Sequence, residues 1–282
     1  MADPEFRPAP IIGDRSIREV LKRFGMAAKL KCLFFQSKEN NLTGGARFPL
    51  SSSGEARPFI LTRKLGRRRT AELKDFARVK GATLNDVVLT AYYRCLFQRL
   101  ALSPGSEIQI PVMVDMRRYL KKGGEFVSLT NLASTVITQL AYWPEERFEA
   151  TLVRVKVIMD KKKGSNIGLN GFIKLDLMHR ILGDRVANRA LMSILKNPLI
   201  CMTNVGILDS AQIAFGDLRP RDAFLCGSIK YKPYFQLAIS SYDGELTLSI
   251  NLLGSAGDRN RILSFFDEID AELRSYETTS LT

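Results

Sequence analysis

A chain of 282 residues with 45% hydrophobic and 25% charged side chains, including 16 Phe, can bury a large core and is too apolar to remain disordered. Its formal charge of +13 would attract nucleic acid, an anionic membrane surface or an acidic protein. The basic runs at Lys29 and Lys31, Lys64 with Arg67 to Arg69, Lys121 with Lys122, and Lys161 to Lys163 are dispersed; without a zinc finger, recognition helix or aromatic-bearing basic strand, they argue against a nucleic-acid partner.

Pro4, Pro8 and Pro10 hinder regular structure at the start, and Ser16 precedes Ile17, Val20, Leu21 and Phe24 at helical spacing. This predicts a short helix ending near Gly25 and a second over 26–35. The Asn-, Gly- and Ser-rich run from Asn40 to Gly54 reads as an irregular, mobile loop. Residues 1–57 are therefore expected to form a connector, and 58–282 the ordered domain.

Pro58 to Leu65 reads as a strand and Thr70 to Lys80 as an amphipathic helix, with Leu73, Phe76 and Ala77 on one face and Gly81 closing it. Thr83 is a candidate cap for a helix running to about Leu100, apolar on enough sides to be central and buried. Ile108 to Met113 and Leu129 to Leu140 are strand candidates, expected to be sheet neighbours around the loop Arg117 to Ser128. Helices follow at 145–162, 169–182 and 185–195. Strands are then expected at 199–205, 213–215, 224–230, 235–242 and 246–252. Asp243-Gly244 supplies the positive-φ turn of a hairpin between alternating apolar strands. Asp258 is expected to cap a last helix over 259–274. The pattern predicts an α/β fold: a mixed, largely antiparallel sheet packed with helices.

Cys32, Cys95, Cys201 and Cys226 lack the short spacings of a metal or redox site and point to a reducing, cytoplasmic compartment. No metal or bound cofactor is expected, and no run approaches 18 apolar residues, so no transmembrane segment is expected. The one histidine, His179, shares a helical spacing with Phe172, Leu175 and Leu182, which favours a structural imidazole over a catalytic one. Arg117 could fix a carboxylate through its planar fork or pair locally with Asp115. Asn131 and Asn204 sit in β-like surroundings, where each amide must meet backbone groups or line a cavity. No phosphate loop, dinucleotide fingerprint or Gly-x-Ser-x-Gly elbow is present.

Five phrases in order carry a resemblance: Ala-Thr-Leu-Asn-Asp-Val-Val-Leu-Thr-Ala at 82–91, Ile-Pro-Val-Met-Val-Asp-Met-Arg at 110–117, Leu-Thr-Asn-Leu-Ala-Ser at 129–134, Cys-Met-Thr-Asn-Val-Gly at 201–206, and Ile-Ser-Ser-Tyr-Asp-Gly-Glu-Leu at 239–246. From Pro58 to Arg274 the chain resembles the C-terminal half of the condensation-domain and chloramphenicol-acetyltransferase-like superfamily, which includes wax ester synthases and alcohol acetyltransferases. The resemblance implies that fold's C-terminal subdomain. It makes Asn85, Asp86, Asp243 and Gly244 domain-organising residues, and Arg117, Asn131 and Asn204 structural or substrate-channel residues, with Arg117 bracing the carboxylate of the family's histidine motif. The Pro expected soon after Asn204 is absent, and so is the paired-His motif with an Asp four residues after its second His. No catalytic residue is therefore assigned. What the resemblance implies is the C-terminal portion of a thioester-dependent acyltransferase or condensation-like enzyme, inactive alone. Its partner would be a histidine-bearing N-terminal half or, by self-association, a second copy, and an acyl thioester would be the donor of the assembled enzyme. The alternative is a noncatalytic binding or scaffold protein on the same fold.

Overall fold

A computed structural model describes residues 18–35, 42, 45–120, 132–164, 166, 168–194, 198–211, 213 and 216–275. The chain divides into two compact units. One comprises Met1–Glu39, Val114–Thr135 and Asn166–Leu195; the other comprises Asn40–Met113, Val136–Ser165 and Lys196–Thr282. Residues 45–57 thus belong with the larger unit, although their composition suggested a connector.

The larger unit is built on strands β1 (Arg57–Leu65), most of β2 (Glu107–Asp115) and of β3 (Ala133–Ala141), β4 (Ile200–Leu208), β5 (Lys230–Tyr231), β6 (Phe235–Tyr242) and β7 (Glu245–Gly254). Their order is β1-β7-β6-β4-β2-β3, with β5 also on β7. β7 is antiparallel to β1 and to β6, whereas β4 is parallel to both β6 and β2. The sheet is mixed, and β2 and β3 are neighbours as their pattern predicts. Between β6 and β7, Asp243 and Gly244 take φ of 48° and 79° and Tyr242 pairs with Glu245, the two-residue turn read from Asp-Gly.

Helices α3 (Arg67–Val79), α4 (Leu84–Arg99), α5 (Phe148–Gly164) and α7 (Ala256–Glu272) accompany this sheet. α4 is buried almost all round from Asp86 to Phe97, as its unbroken apolar run requires. One core joins it to Leu73, Leu152, Ile250, Phe265 and Ile269. The loop over 45–56 is irregular yet anchored: Phe48 is buried and stacks on Phe235 at 3.9 Å between ring centroids.

Three expectations need correction. Asp258 is not the cap of α7; Ser255 is, and Asp258 is the third helical residue, its carboxylate reaching back to the Ser255 N–H at 2.8 Å. The segment 224–230 forms no strand before Lys230. Side chains of the sheet hold it instead: Leu225 N–H donates to Ser240 Oγ at 2.9 Å, Ser249 Oγ donates to the Leu225 carbonyl at 2.5 Å, and Asn251 Nδ2 donates to the Gly227 carbonyl at 2.7 Å. The third concerns 213–215, where Ile213 is in a bend; residues 214 and 215 lie outside the described ones.

The smaller unit holds α1 (Arg18–Leu21), α2 (Met26–Phe35), a 3-10 turn at Met116–Tyr119, and α6 (Leu169–Ile194). Ser16 and Ile17, read as the start of the first helix, lie outside the described residues. Gly183, at φ 68° and ψ 164°, breaks α6 into the two helices expected. Val20, Leu21, Cys32, Met116, Leu132, Leu169, Phe172 and Ile173 form its core. Gly168, at φ 80°, lies so close to Met116 and Ser134 that an added Cβ would come within 2.7 Å of Met116 Sδ and 2.9 Å of Ser134 Cβ, so a side chain there would force the core apart. Among the described residues no helix is long and apolar enough to cross a membrane.

Candidate functional site

Several polar residues of the larger unit meet where α4 begins and β4 bulges. Thr83 caps α4: its hydroxyl accepts from Asp86 N–H at 3.3 Å while Asp86 Oδ2 accepts from Thr83 N–H at 2.9 Å. This reciprocal box satisfies donors that every helix start leaves open. Asp86 is buried, its Oδ1 has no hydrogen-bond partner, and Lys163 at the end of α5 stands 3.6 Å from Oδ2.

Asn85, next along α4, accepts a hydrogen bond at 3.1 Å from Asn204 Nδ2. β4 bulges between Asn204 and Ile207 with Gly206 at φ 80°, and the Gly206 N–H donates to Asn204 Oδ1 at 2.7 Å. The bulge lets one amide side chain satisfy its own strand while bridging to the helix. Asn85, Asp86 and Asn204 are thus brought together: Asn204 spends its amide nitrogen on Asn85 and its oxygen on Gly206, while Asp86 spends Oδ2 on Thr83 and leaves Oδ1 unbonded. At the hairpin, Arg67 binds Asp243 through both its backbone carbonyl, at 2.9 Å, and its carboxylate. An added Cβ on Gly244 would meet Arg67 Cγ at 3.5 Å. Asp243 and Gly244 therefore tie the hairpin to the start of α3.

Arg117 belongs to the smaller unit, in the 3-10 turn after β2. Its N–H and guanidinium Nη1 both donate to Asp115 Oδ1, at 2.9 and 3.3 Å. Asp115 thereby caps the turn and engages the arginine, the local pairing the sequence left open. Asn131 lies outside the described residues. His179 is part-buried on α6, with Nδ1 3.0 Å from Asp184 Oδ1 just beyond the Gly183 break. That carboxylate is exposed. Among the described residues no three His, Cys, Asp or Glu gather as metal ligands.

Buried thiols are held neutral: burial pushes Cys201 up to about 11 and Cys95 well above the usual thiol value. A cavity of about 310 Å³ near the far end of α4, lined by Phe97, Tyr142, Trp143 and Glu145 among others, was not read from sequence. Its signal was the sole tryptophan followed by Pro144 and two glutamates.

No protein-family model matches the chain, and no curated protein matches its sequence. Solved structures do match its fold. The epimerization domain from the third module of tyrocidine synthetase B is 14% identical, with TM-score 0.57, over 91% of this chain and 57% of that one. The EpoB cyclization-docking bidomain from Sorangium cellulosum is 13% identical, with TM-score 0.59, over 90% and 50%. The trichothecene 15-O-acetyltransferase from Fusarium sporotrichioides is 14% identical, with TM-score 0.58, over 91% and 54%. The chain therefore has the fold of condensation-type domains and chloramphenicol-acetyltransferase-like acyltransferases. It spans about half the length of each of these three structures. One neighbour is an epimerization domain and another an acetyltransferase, so the shared fold leaves the reaction to the site.

Proposed function

We propose that this chain supplies the C-terminal half of a thioester-dependent acyltransferase or condensation-like enzyme and works with a histidine-bearing N-terminal half, on the same polypeptide or another, in the cytoplasm. The carrying observation is that nearly the whole chain overlays on only about half of each of the three structures named above. Its single histidine supports the reading. Acyl transfer from a thioester to an alcohol or amine needs a base within reach of the acceptor proton, and the chain's one histidine, His179, is engaged by Asp184 on α6. In the assembled enzyme the missing half brings the base. Arg117 exchanges its local Asp115 contact for the carboxylate of the partner's histidine motif, a planar charge-assisted pair that lysine cannot reproduce.

A noncatalytic scaffold on the same fold is the second reading, favoured by the way Asn85, Asn204 and Arg117 find partners within their own units. Mixing the chain with a histidine-bearing half and measuring binding and acyl transfer separates the two. The acyltransferase reading expects Arg117→Ala to lower binding or turnover at least tenfold with the isolated fold intact, and Arg117→Lys to rescue poorly. Wild-type behaviour of both variants would remove Arg117 from the account. Failure to bind any such half, with no turnover, would favour the scaffold.

A further inference from the structure

The cavity of about 310 Å³ lined by Arg94, Phe97, Gln98, Tyr142, Trp143, Glu145, Glu146 and Thr151 is remote from the cluster at the start of α4. Asn85 and Gln98 are 13 residues apart on that helix, on the order of 20 Å along its axis. Phe97 is buried as its back wall, and its ring lies 5.3 Å from that of Tyr142. Trp143 is half exposed at the rim, close to Gly105, where an added Cβ would meet the indole at 3.8 Å. The Gly105 N–H donates to the Tyr142 carbonyl at 2.8 Å, so the loop at Gly105 is fixed to the segment just after β3 that carries the indole.

Charge in this cavity runs against the basic surface. The Arg94 guanidinium is spent on Glu272 Oε2 at 2.5 Å, the Glu146 carbonyl at 2.6 Å and Thr151 Oγ1 at 3.1 Å. Glu146 is spent on Arg154, whose Nη1 lies 3.0 and 2.9 Å from its two oxygens. Among the residues that line the cavity, the one guanidinium of Arg94 is set against the two carboxylates of Glu145 and Glu146. Glu145 has no ion pair or hydrogen bond among the described residues, and its backbone sits at φ 59°. A non-glycine residue held there is strained, and such strain persists where the surrounding structure imposes it.

Aromatic rings with an unengaged carboxylate at the mouth of a small cavity are the chemistry that holds an organic ammonium ion, through the negative ring faces and one opposite charge. We propose that the Tyr142–Trp143–Glu145 cavity binds a small ammonium-bearing ligand, independently of any acyl transfer.

Because Trp143 is the only tryptophan, its emission reports this cavity alone. The purified chain is titrated with choline chloride, with sodium chloride at matched ionic strength, and with 3,3-dimethylbutan-1-ol, the neutral isostere of choline. A saturable emission change with choline, absent with sodium chloride and at least about threefold weaker in affinity with the neutral isostere, is expected. Calorimetry on Glu145→Gln, which leaves the backbone strain as it is, and on Tyr142→Ala should show choline affinity lowered about three- to fivefold for each, with unchanged far-ultraviolet circular dichroism. Equal responses to choline and its isostere, no saturation, or undiminished affinity in Glu145→Gln would each overturn the proposal.

Discussion

Two helices of the larger unit begin with the same device and use it differently. At α4 the box is Thr83 with Asp86; at α7 it is Ser255 with Asp258. Asp86 uses one oxygen and leaves Oδ1 unbonded, with a lysine at 3.6 Å. Asp258 uses both: Oδ1 accepts from Ser51 N–H at 2.6 Å, while Oδ2 accepts from the Ser255 N–H and from Lys232, also at 2.6 Å. Lys232 donates in turn to the Ser51 carbonyl at 2.7 Å. One box therefore only starts a helix, whereas the other also ties the irregular 45–56 segment and the approach to β6 onto the core. The lesson is that a capping motif says where a helix begins, and only the third dimension says how much else its carboxylate carries.

Asn in place of Asp breaks the comparison most sharply. Asp258→Asn must turn an amide donor toward the Ser51 N–H or the Lys232 ammonium and removes a buried charge from its partner, so denaturant unfolding should show a loss of about 3–5 kcal/mol. Asp86→Asn can keep its oxygen on Thr83 and place its amide where Oδ1 has no partner, so the loss should be about 1 kcal/mol or less. Equal losses would show that the two carboxylates do the same work.

The pH dependence sharpens the same contrast. Burial raises the Asp258 carboxyl, but Lys232, the Ser255 and Ser51 N–H groups and the Ser255 hydroxyl together outweigh it and hold the carboxyl below its usual value. A depressed folded pKa contributes stability that is fully present above the unfolded value of about 3.9 and lost as pH falls through the folded one. Stability measured from pH 5 downward should fall less steeply in Asp258→Ala than in the wild type. An unchanged acid limb would show that this carboxylate titrates alike in both states.

Smaller effects belong to single hydrogen bonds and turns. Thr83→Ala should cost about 1 kcal/mol through the lost cap, and Gly244→Ala about 1 kcal/mol through its positive φ, both read from thermal unfolding. Lys163→Met should change stability by less than about 0.5 kcal/mol, since its ammonium is part-exposed and beyond hydrogen-bond distance of Asp86.

What was legible followed from period and turn chemistry. The α4 and α7 apolar faces, the break at Gly183 and the Asp243-Gly244 turn each depend on neighbours within a few residues. The 224–230 segment was not legible, because its apolar residues predict extended chain, while its backbone partners are Ser240, Ser249 and Asn251 side chains that the pattern alone does not reveal. The Ser255 cap was legible in principle, since Ser-x-x-Asp is the same signature as Thr83 to Asp86. The meeting of Asn85 with Asn204 was not, because it spans 119 residues and depends on a strand bulge. Arg117 pairing with Asp115 was read as a local alternative and is what the smaller unit shows.

The most direct measurement of the central claim is acyl transfer by the highly purified chain, supplied with a short-chain acyl thioester and an alcohol or amine acceptor, before and after addition of a histidine-bearing N-terminal half. The account predicts no transfer above the background reaction for the chain alone and turnover once the second half is present. Turnover by the chain alone that disappears in His179→Ala would contradict it.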